Sequence, residues 1–417
     1  MKADDQVTRR GDDRPMRCVL TNATLIDCVN PRPIASASVT IEDGRIAEVL
    51  DASRSPDTRF AEVIDLGGAY LLPGLWDVHI HPDYLAATGA SAVEQTVIFG
   101  HRLMEALTES GVTGVRCAGA AHFMDVAWKR AFESGQYIGP RVFAAGYFLT
   151  TTGGHFLTSG HARECDGPYG FVRAIREQIK NGVDHIKLNL TGGIMGPAWD
   201  RHWQSFLLDD ELEAAFAICG KRGYPVMAHA ASPEAVRAAV RLGAHSIEHG
   251  YLMDRECLDG MRAQGTWYVP TLAITHLTPD QASDRWEKRW VEQRDLAQDL
   301  CHRADAAAAE HRGWFQQALA AGVKMALGSD IRPLKEAALL ELGLWVKDGA
   351  TPWQALRAAT RHAAELCGVG HELGTVEPGK LADLIVVGAN PLDDITNLRQ
   401  LRLVFKEGRI VSDKRRG

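Results

Sequence analysis

Between residues 72 and 373 the chain alternates eight short apolar runs with amphipathic stretches, which narrows the folds open to it. The runs are WDVHIH, GVTGVRCAG, RVFAAGY, HIKLNL, YPVMAHA, AHSIEHG, WYVPTL and VKMALGSD, and each reads as a strand. Between them residues 92–110, 169–181, 209–222, 233–242 and 286–321 read as helices. Eight strand-then-helix units are the count of a (β/α)8, or TIM, barrel.

A different texture flanks the middle. CVLTNATLIDC, ASVTIEDGRIAEV and AEVIDLGGAYL near the start, and LADLIVVGANPL and VFKEGRIVS near the end, read as short strands. Asp43-Gly44 and Glu407-Gly408 mark turns between them. Residues 16–71 and 374–412 are therefore expected to form one small β-sandwich domain built from both terminal segments, leaving 72–373 to the barrel. Residues 1–15 are charged, lack the apolar core of a signal peptide, and read as a disordered leader. Residues 413–417 read as a solvated basic tail.

Several classes of function are disfavoured. A net charge of -7 gives no reason to expect nucleic acid or an anionic membrane as partner. No apolar stretch approaches the length of a membrane span. The eight cysteines are scattered without a C-x-x-C pair, which favours free thiols in a reducing, cytoplasmic compartment. The charged stretch 284–312 reads as a solvated or oligomer-facing helix, and a homo-oligomer is expected.

Side chains two apart on a strand face the same way, so His79 and His81 project together from the end of the first barrel run. Neutral imidazole is the commonest metal ligand. Further candidates recur at or near other run ends: Lys187 on the fourth, His229 on the fifth, His249 on the sixth and Asp330 on the eighth. His229 or His249 alone reads more readily as a packed core histidine, and Asp330 alone as a helix cap. Lys187 is harder to explain, because a buried ammonium is costly unless paired or neutral. In a barrel all these ends converge on one mouth, where four imidazoles and a carboxylate would suit a divalent ion.

These motifs, in this order, resemble the amidohydrolase superfamily, as does the C-terminal PGKLADLIVVGANPLDDI. HIKLNLTGG, the GGH after strand three and SIEHG look closest to its imidazolonepropionase-like and Xaa-Pro/Xaa-Arg dipeptidase branch. The likeness runs over about residues 18–411. It implies two divalent metal ions, zinc by default. His79, His81 and Asp330 would hold one and His229 and His249 the other, with Lys187 bridging them as N6-carboxylysine. It further implies hydrolysis of an amide-type C–N bond by metal-activated water, with Asp330 as proton acceptor and His155 as a contact to the substrate carbonyl.

The chain departs from that branch in two places. Val115-Arg116-Cys117 stands where relatives often carry Val-Arg-Asp, and His229 is followed by Ala230-Ala231. Neither change removes a ligand, but both loosen any transfer of substrate preference. Met195, Trp199 and His202 in the long loop after strand four, together with Tyr251, are candidate substrate contacts, and Arg332 could hold a substrate carboxylate. The tryptophans could equally pack the loop onto the barrel rim. An N-acyl amino acid, a dipeptide or an aryl amide is the expected small-molecule substrate. Carbamates, phenylureas, cyclic amides, deamination and phosphotriesters remain open, as does an inactive scaffold.

Overall fold

The two Asx/Glx-Gly turns shape the terminal strands. In the computed structural model, which describes residues 17–83, 88–294 and 296–415, Asp43 and Gly44 have φ of 48° and 79°, and Glu407 and Gly408 have 48° and 74°. Paired positive φ values match the right-handed twist of the flanking strands. The first turn joins β2 (Ile34–Glu42) to β3 (Arg45–Leu50). A Cβ on Gly44 would lie 3.0 Å from the Glu407 carbonyl oxygen, so the second turn packs against the first. The expected leader, 1–15, and the last two residues of the tail lie outside the described residues.

The same sheet contains β1 (Arg17–Leu25), β4 (Glu62–Asp65) and β5 (Tyr70–Pro73). Among the described residues nine further strands, β6 to β14, lie in the middle of the chain. They are β6 (Leu75–Ile80), β7 (Val112–Cys117), β8 (Arg141–Phe143), β9 (Phe148–Thr150), β10 (Ala162–Glu164), β11 (Ile186–Asn189), β12 (Val226–Ala230), β13 (Ser246–His249) and β14 (Trp267–Val269). The chain then returns through β15 (Leu384–Val387), β16 (Leu401–Lys406) and β17 (Arg409–Asp413). The terminal strands form one eight-stranded sheet in the order β17-β16-β15-β5-β1-β2-β3, with β4 also on β1. Leu20, Val39, Ile41, Leu384 and Phe405 lie in a buried cluster of its own.

The middle strands are parallel, in a three-stranded sheet β6-β7-β8 and a six-stranded sheet β10-β9-β11-β12-β13-β14. Their registers bring the ends together: Ile80 lies beside Cys117, Asn189 beside His229, and Ala230 beside His249. Long helices lie between the strands, among them Ala92–Ser110, which has a Ser91/Glu94 capping box and a left-handed Gly111 at its end.

Three expected elements differ. The run VKMALGSD forms no regular ladder. It bridges β14 through Tyr268 and Met325, and meets β6 where Val78 N–H donates to Leu327 (2.9 Å) and Asp330 N–H to His79 (2.8 Å). The amide of Leu327 goes instead to Ala358, which diverts the pairing. The third run shortens to three residues because carboxylates take its next amides: Asp184 accepts from Ala144, and Asp125 from Ala145 and Gly146. The expected long helix at 286–321 is two helices, Arg285–Arg294 and Gln298–Ala321. Among the described residues no helix is long and apolar enough to cross a membrane.

Candidate metal centre and its cavity

Each of the four candidate histidines gives one ring N–H to a protein acceptor. His81 Nδ1 donates to the Gly119 carbonyl (3.0 Å) and His229 Nε2 to the Gly192 carbonyl (2.8 Å). A carbonyl can only accept, so these contacts fix both tautomers. His79 Nδ1 meets Glu248 at 2.7 Å, and His249 Nδ1 meets the Thr271 hydroxyl at 2.7 Å. That hydroxyl donates onward to the Pro270 carbonyl. The other nitrogen is then left as a lone pair: Nε2 on His79, His81 and His249, and Nδ1 on His229. His79 Nε2 is buried without a hydrogen-bond partner.

These rings lie close together, with centroids 4.9 Å apart for His79–His249 and 4.4 Å for His229–His249. Asp330 Oδ1 stands 3.7 Å from His79 Nε2 and 3.5 Å from His81 Nε2. Single ligand atoms of His79, His81 and Asp330 all lie within 4.8 Å of one another. Burial holds all four imidazoles well below the usual histidine range, so they are neutral, as metal ligands must be. Burial also pulls the Lys187 ammonium down, against the opposing fields of Glu248 and Asp330. It pushes the Asp330 carboxyl up, with Lys187 and Arg332 opposing. Neutral nitrogens, a carboxylate, a lysine and an orphaned buried lone pair make a donor set that fits divalent metal ions.

Three residues here carry backbone strain. His249, Thr271 and Asp330 have φ of 70°, 51° and 55°, left-handed values unusual for non-glycine residues. Such positions persist where the surroundings over-determine them, and they mark functional sites.

A cavity opens above these groups. Its lining includes all six candidate ligands, His79, His81, Lys187, His229, His249 and Asp330, and also His155, Met195, Tyr251 and Arg332. Trp199 and His202 are not part of the lining. Trp199 is 52% exposed, while His202 packs edge-on against Tyr251. His155 is buried, with Nδ1 2.7 Å from Asp200.

Four supporting residues escape sequence reasoning. Glu248 lies beneath His79, and Arg116 reaches it at 2.8 Å while also donating to Val78 (2.7 Å) and Ser246 (2.9 Å). Both are charged residues inside apolar strands, the same signal that singles out Lys187. Asp77 accepts from the Ser329 hydroxyl (2.5 Å) and the His79 amide (3.2 Å), tying β6 to the Asp330 turn. Arg294 lines the cavity beside Arg332, from a helix whose charge pattern reads as solvated.

Residues 70–411 match the profile of the amidohydrolase family. The ochratoxinase of Aspergillus niger is 28% identical over 406 residues, covering 89% of this chain and 81% of that protein. A Xaa-Pro dipeptidase solved with methionine in its active site superposes with a TM-score of 0.83 at 28% identity, covering 94% of this chain and 99% of that one. A prolidase complexed with N-methylphosphonate-L-proline gives a TM-score of 0.83 at 28% identity, covering 96% and 100%.

Proposed function

The chain belongs to the amidohydrolase family and is a hydrolase of C–N bonds, and we propose that it cleaves amides bearing a free carboxylate, N-acyl amino acids or dipeptides. The observation carrying the metal-hydrolase reading is the tautomer pattern: four histidines each anchor one nitrogen and leave the other as a lone pair, in a cavity that Lys187 and Asp330 also line. His79, His81 and Asp330 would hold one divalent ion and His229 and His249 a second, with zinc the default. Burial favours the neutral Lys187 amine, the form that adds CO2 with loss of a proton to give the bridging N6-carboxylysine. When bound, the ions supply a Lewis acid for the substrate carbonyl and lower the pKa of water toward neutrality.

The remaining chemistry belongs to side chains. Asp330 accepts a proton from the attacking water at its carboxylate and passes it to the leaving nitrogen, a role suited to a carboxyl raised by burial. His155 contacts the substrate carbonyl. Arg332 and Arg294 receive the substrate carboxylate, and Met195, Tyr251, Phe148 and Phe156 pack its apolar part. Trp199 and His202 support the loop rather than the substrate. Two relatives held methionine and a proline phosphonate, both of which carry a carboxylate, and this supports the substrate class.

The two parallel sheets and the 324–330 segment would together close a (β/α)8 barrel over residues 72–373. Residues 16–71 and 374–412 would make a separate, sandwich-like β domain. A cytoplasmic homo-oligomer completes the reading.

Metal content and parallel assays on N-acyl amino acids, aryl carbamates and aryl phosphotriesters test it. Far less than one ion per chain after metal-supplemented expression sinks the metal centre, and turnover of phosphotriesters alone sinks the substrate class. For the bridge, Lys187→Ala is expected to lose metal and regain it with millimolar formate or acetate. Unchanged metal in that variant without added acid overturns carboxylation.

A further inference from the structure

We propose that Asp200 is the positioning residue of His155, an inference that rests on reading His155 as the contact to the substrate carbonyl. Asp200 lies in the long loop after β11, and its side chain is fully buried. Its oxygens serve two different cavity segments. Oδ2 accepts from His155 Nδ1 (2.7 Å) and the Phe156 amide (3.1 Å), both after β9. Oδ1 accepts from the Gly193 amide (3.0 Å) in its own loop. One carboxylate thereby fixes the ring and fastens the two walls together.

The local sequence is built around that contact. A Cβ on Gly193 would lie 2.2 Å from His155 Cε1, and one on Gly196 would lie 1.9 Å from Asp200 Oδ2. Both ring and carboxylate are thus packed on bare backbone, which only glycine allows. Phe156 has a left-handed φ of 55°, and its bond to Asp200 holds the strained step that aims His155. From outside, Arg303 on helix Gln298–Ala321 donates to the Gly196 carbonyl (2.5 Å) and the Pro197 carbonyl (3.3 Å) and pins the loop.

With Nδ1–H given to Asp200, His155 presents Nε2, and the ring stands 4.4 Å from that of His229. A ring free to flip or tilt would meet the substrate carbonyl only part of the time, which costs rate more than binding. Asp200→Asn keeps the volume but turns one acceptor oxygen into a donor, so either the His155 side or the Gly193 side must break.

The test is a double-mutant cycle on the zinc-loaded protein with N-acetyl-L-phenylalanine as probe, alongside the nitrogen spectrum of the His155 ring, assigned as the signal missing in His155→Ala. Asp200→Asn is expected to lower kcat at least 10-fold, with KM changed less than 3-fold. In the His155→Ala background the same substitution should cost less than 2-fold, and wild-type Nδ1 should carry a proton. A full, independent loss in that background overturns positioning and leaves Asp200 as a loop fastener, as does wild-type kcat in Asp200→Asn. Wild-type kcat in His155→Ala overturns the reading of His155 itself, and the inference with it. If Asp200→Asn fails to fold, or the probe is not turned over, the wild-type spectrum decides: an unprotonated Nδ1 overturns the proposal.

Discussion

Nδ1 of His79 and Oε2 of Glu248 stand 2.7 Å apart, with both side chains fully buried. Glu248 also takes Arg116 at 2.8 Å, so the carboxylate beneath the ring is charge-compensated without help from the cavity. The pair decides which nitrogen of His79 faces Asp330. Partners of this kind typically contribute 10- to 100-fold to metal affinity. Glu248→Gln is therefore expected to weaken metal binding by about 10- to 100-fold, read by competition with a chelator. Unaltered affinity would show that the ring is held by packing alone.

Asp330→Asn is expected to keep metal and lose turnover by about 10²- to 10⁴-fold, the usual worth of a positioned proton acceptor. Asn retains one oxygen near His79 and His81 but cannot accept the proton. The measurement is turnover rate beside elemental analysis of the same preparation. Near wild-type turnover with metal in place removes Asp330 from proton transfer.

Arg332→Met preserves much of the side chain's apolar stem and deletes the guanidinium. For N-acyl amino acids kcat/KM should fall by about 10- to 100-fold, since charge-assisted bonds to a carboxylate are worth roughly 1.5–3 kcal/mol. The corresponding amides, lacking the carboxylate, should be affected less than about 3-fold. Equal losses on both series would place Arg332 in the scaffold.

Acid should destabilise the fold before it reaches ordinary carboxylate pKa values. Burial lowers His161, His245 and His362 to about 4, and His185 and His311 to about 3. Each stays neutral when folded while the unfolded chain takes up a proton below pH 6.5, so stability present above that pH is lost as pH falls toward 4. Asp77 and Asp125, raised to about 6, and Glu341, also raised, act in the opposite sense: the folded state binds their protons first. Among these groups, five histidines outweigh three carboxyls. The net loss should be about 1 to 3 kcal/mol per pH unit below pH 6, read from urea midpoints at fixed metal. A flat or rising midpoint between pH 7 and 5 contradicts this.

The candidate ligands are legible because each lies at or near the end of an apolar run, where strand periodicity sets the facing of a side chain. Lys187 is the clearest, since its charge conflicts with its surroundings. Asp200 is opaque for the opposite reason. A carboxylate in a polar loop reads as solvated, and its partner ring lies 45 residues upstream. The shortened third strand is hidden in the same way, because Asp125 and Asp184 cap its amides from distant helices and loops. Trp199 shows the opposite limit: aromatic character in a loop near a mouth does not say which wall the side chain faces, and here it is half exposed.

Synthesis order gives the terminal sheet a further meaning. β5 pairs with β15 from Pro73–Leu384 to Tyr70–Val387, and the amide of Gly74, which leads into β6, donates to the Asp383 carbonyl at 2.9 Å. The strand that carries His79 and leads into His81 is thus moored at its root to residues some three hundred positions later in the chain. A nascent chain can assemble most of its parallel strands, but the first of them stays without this anchor until β15 has been made. Long-range pairing of this kind folds slowly. A chain stopped short of β15 therefore lacks the root of the His79 strand, even with every candidate ligand already made.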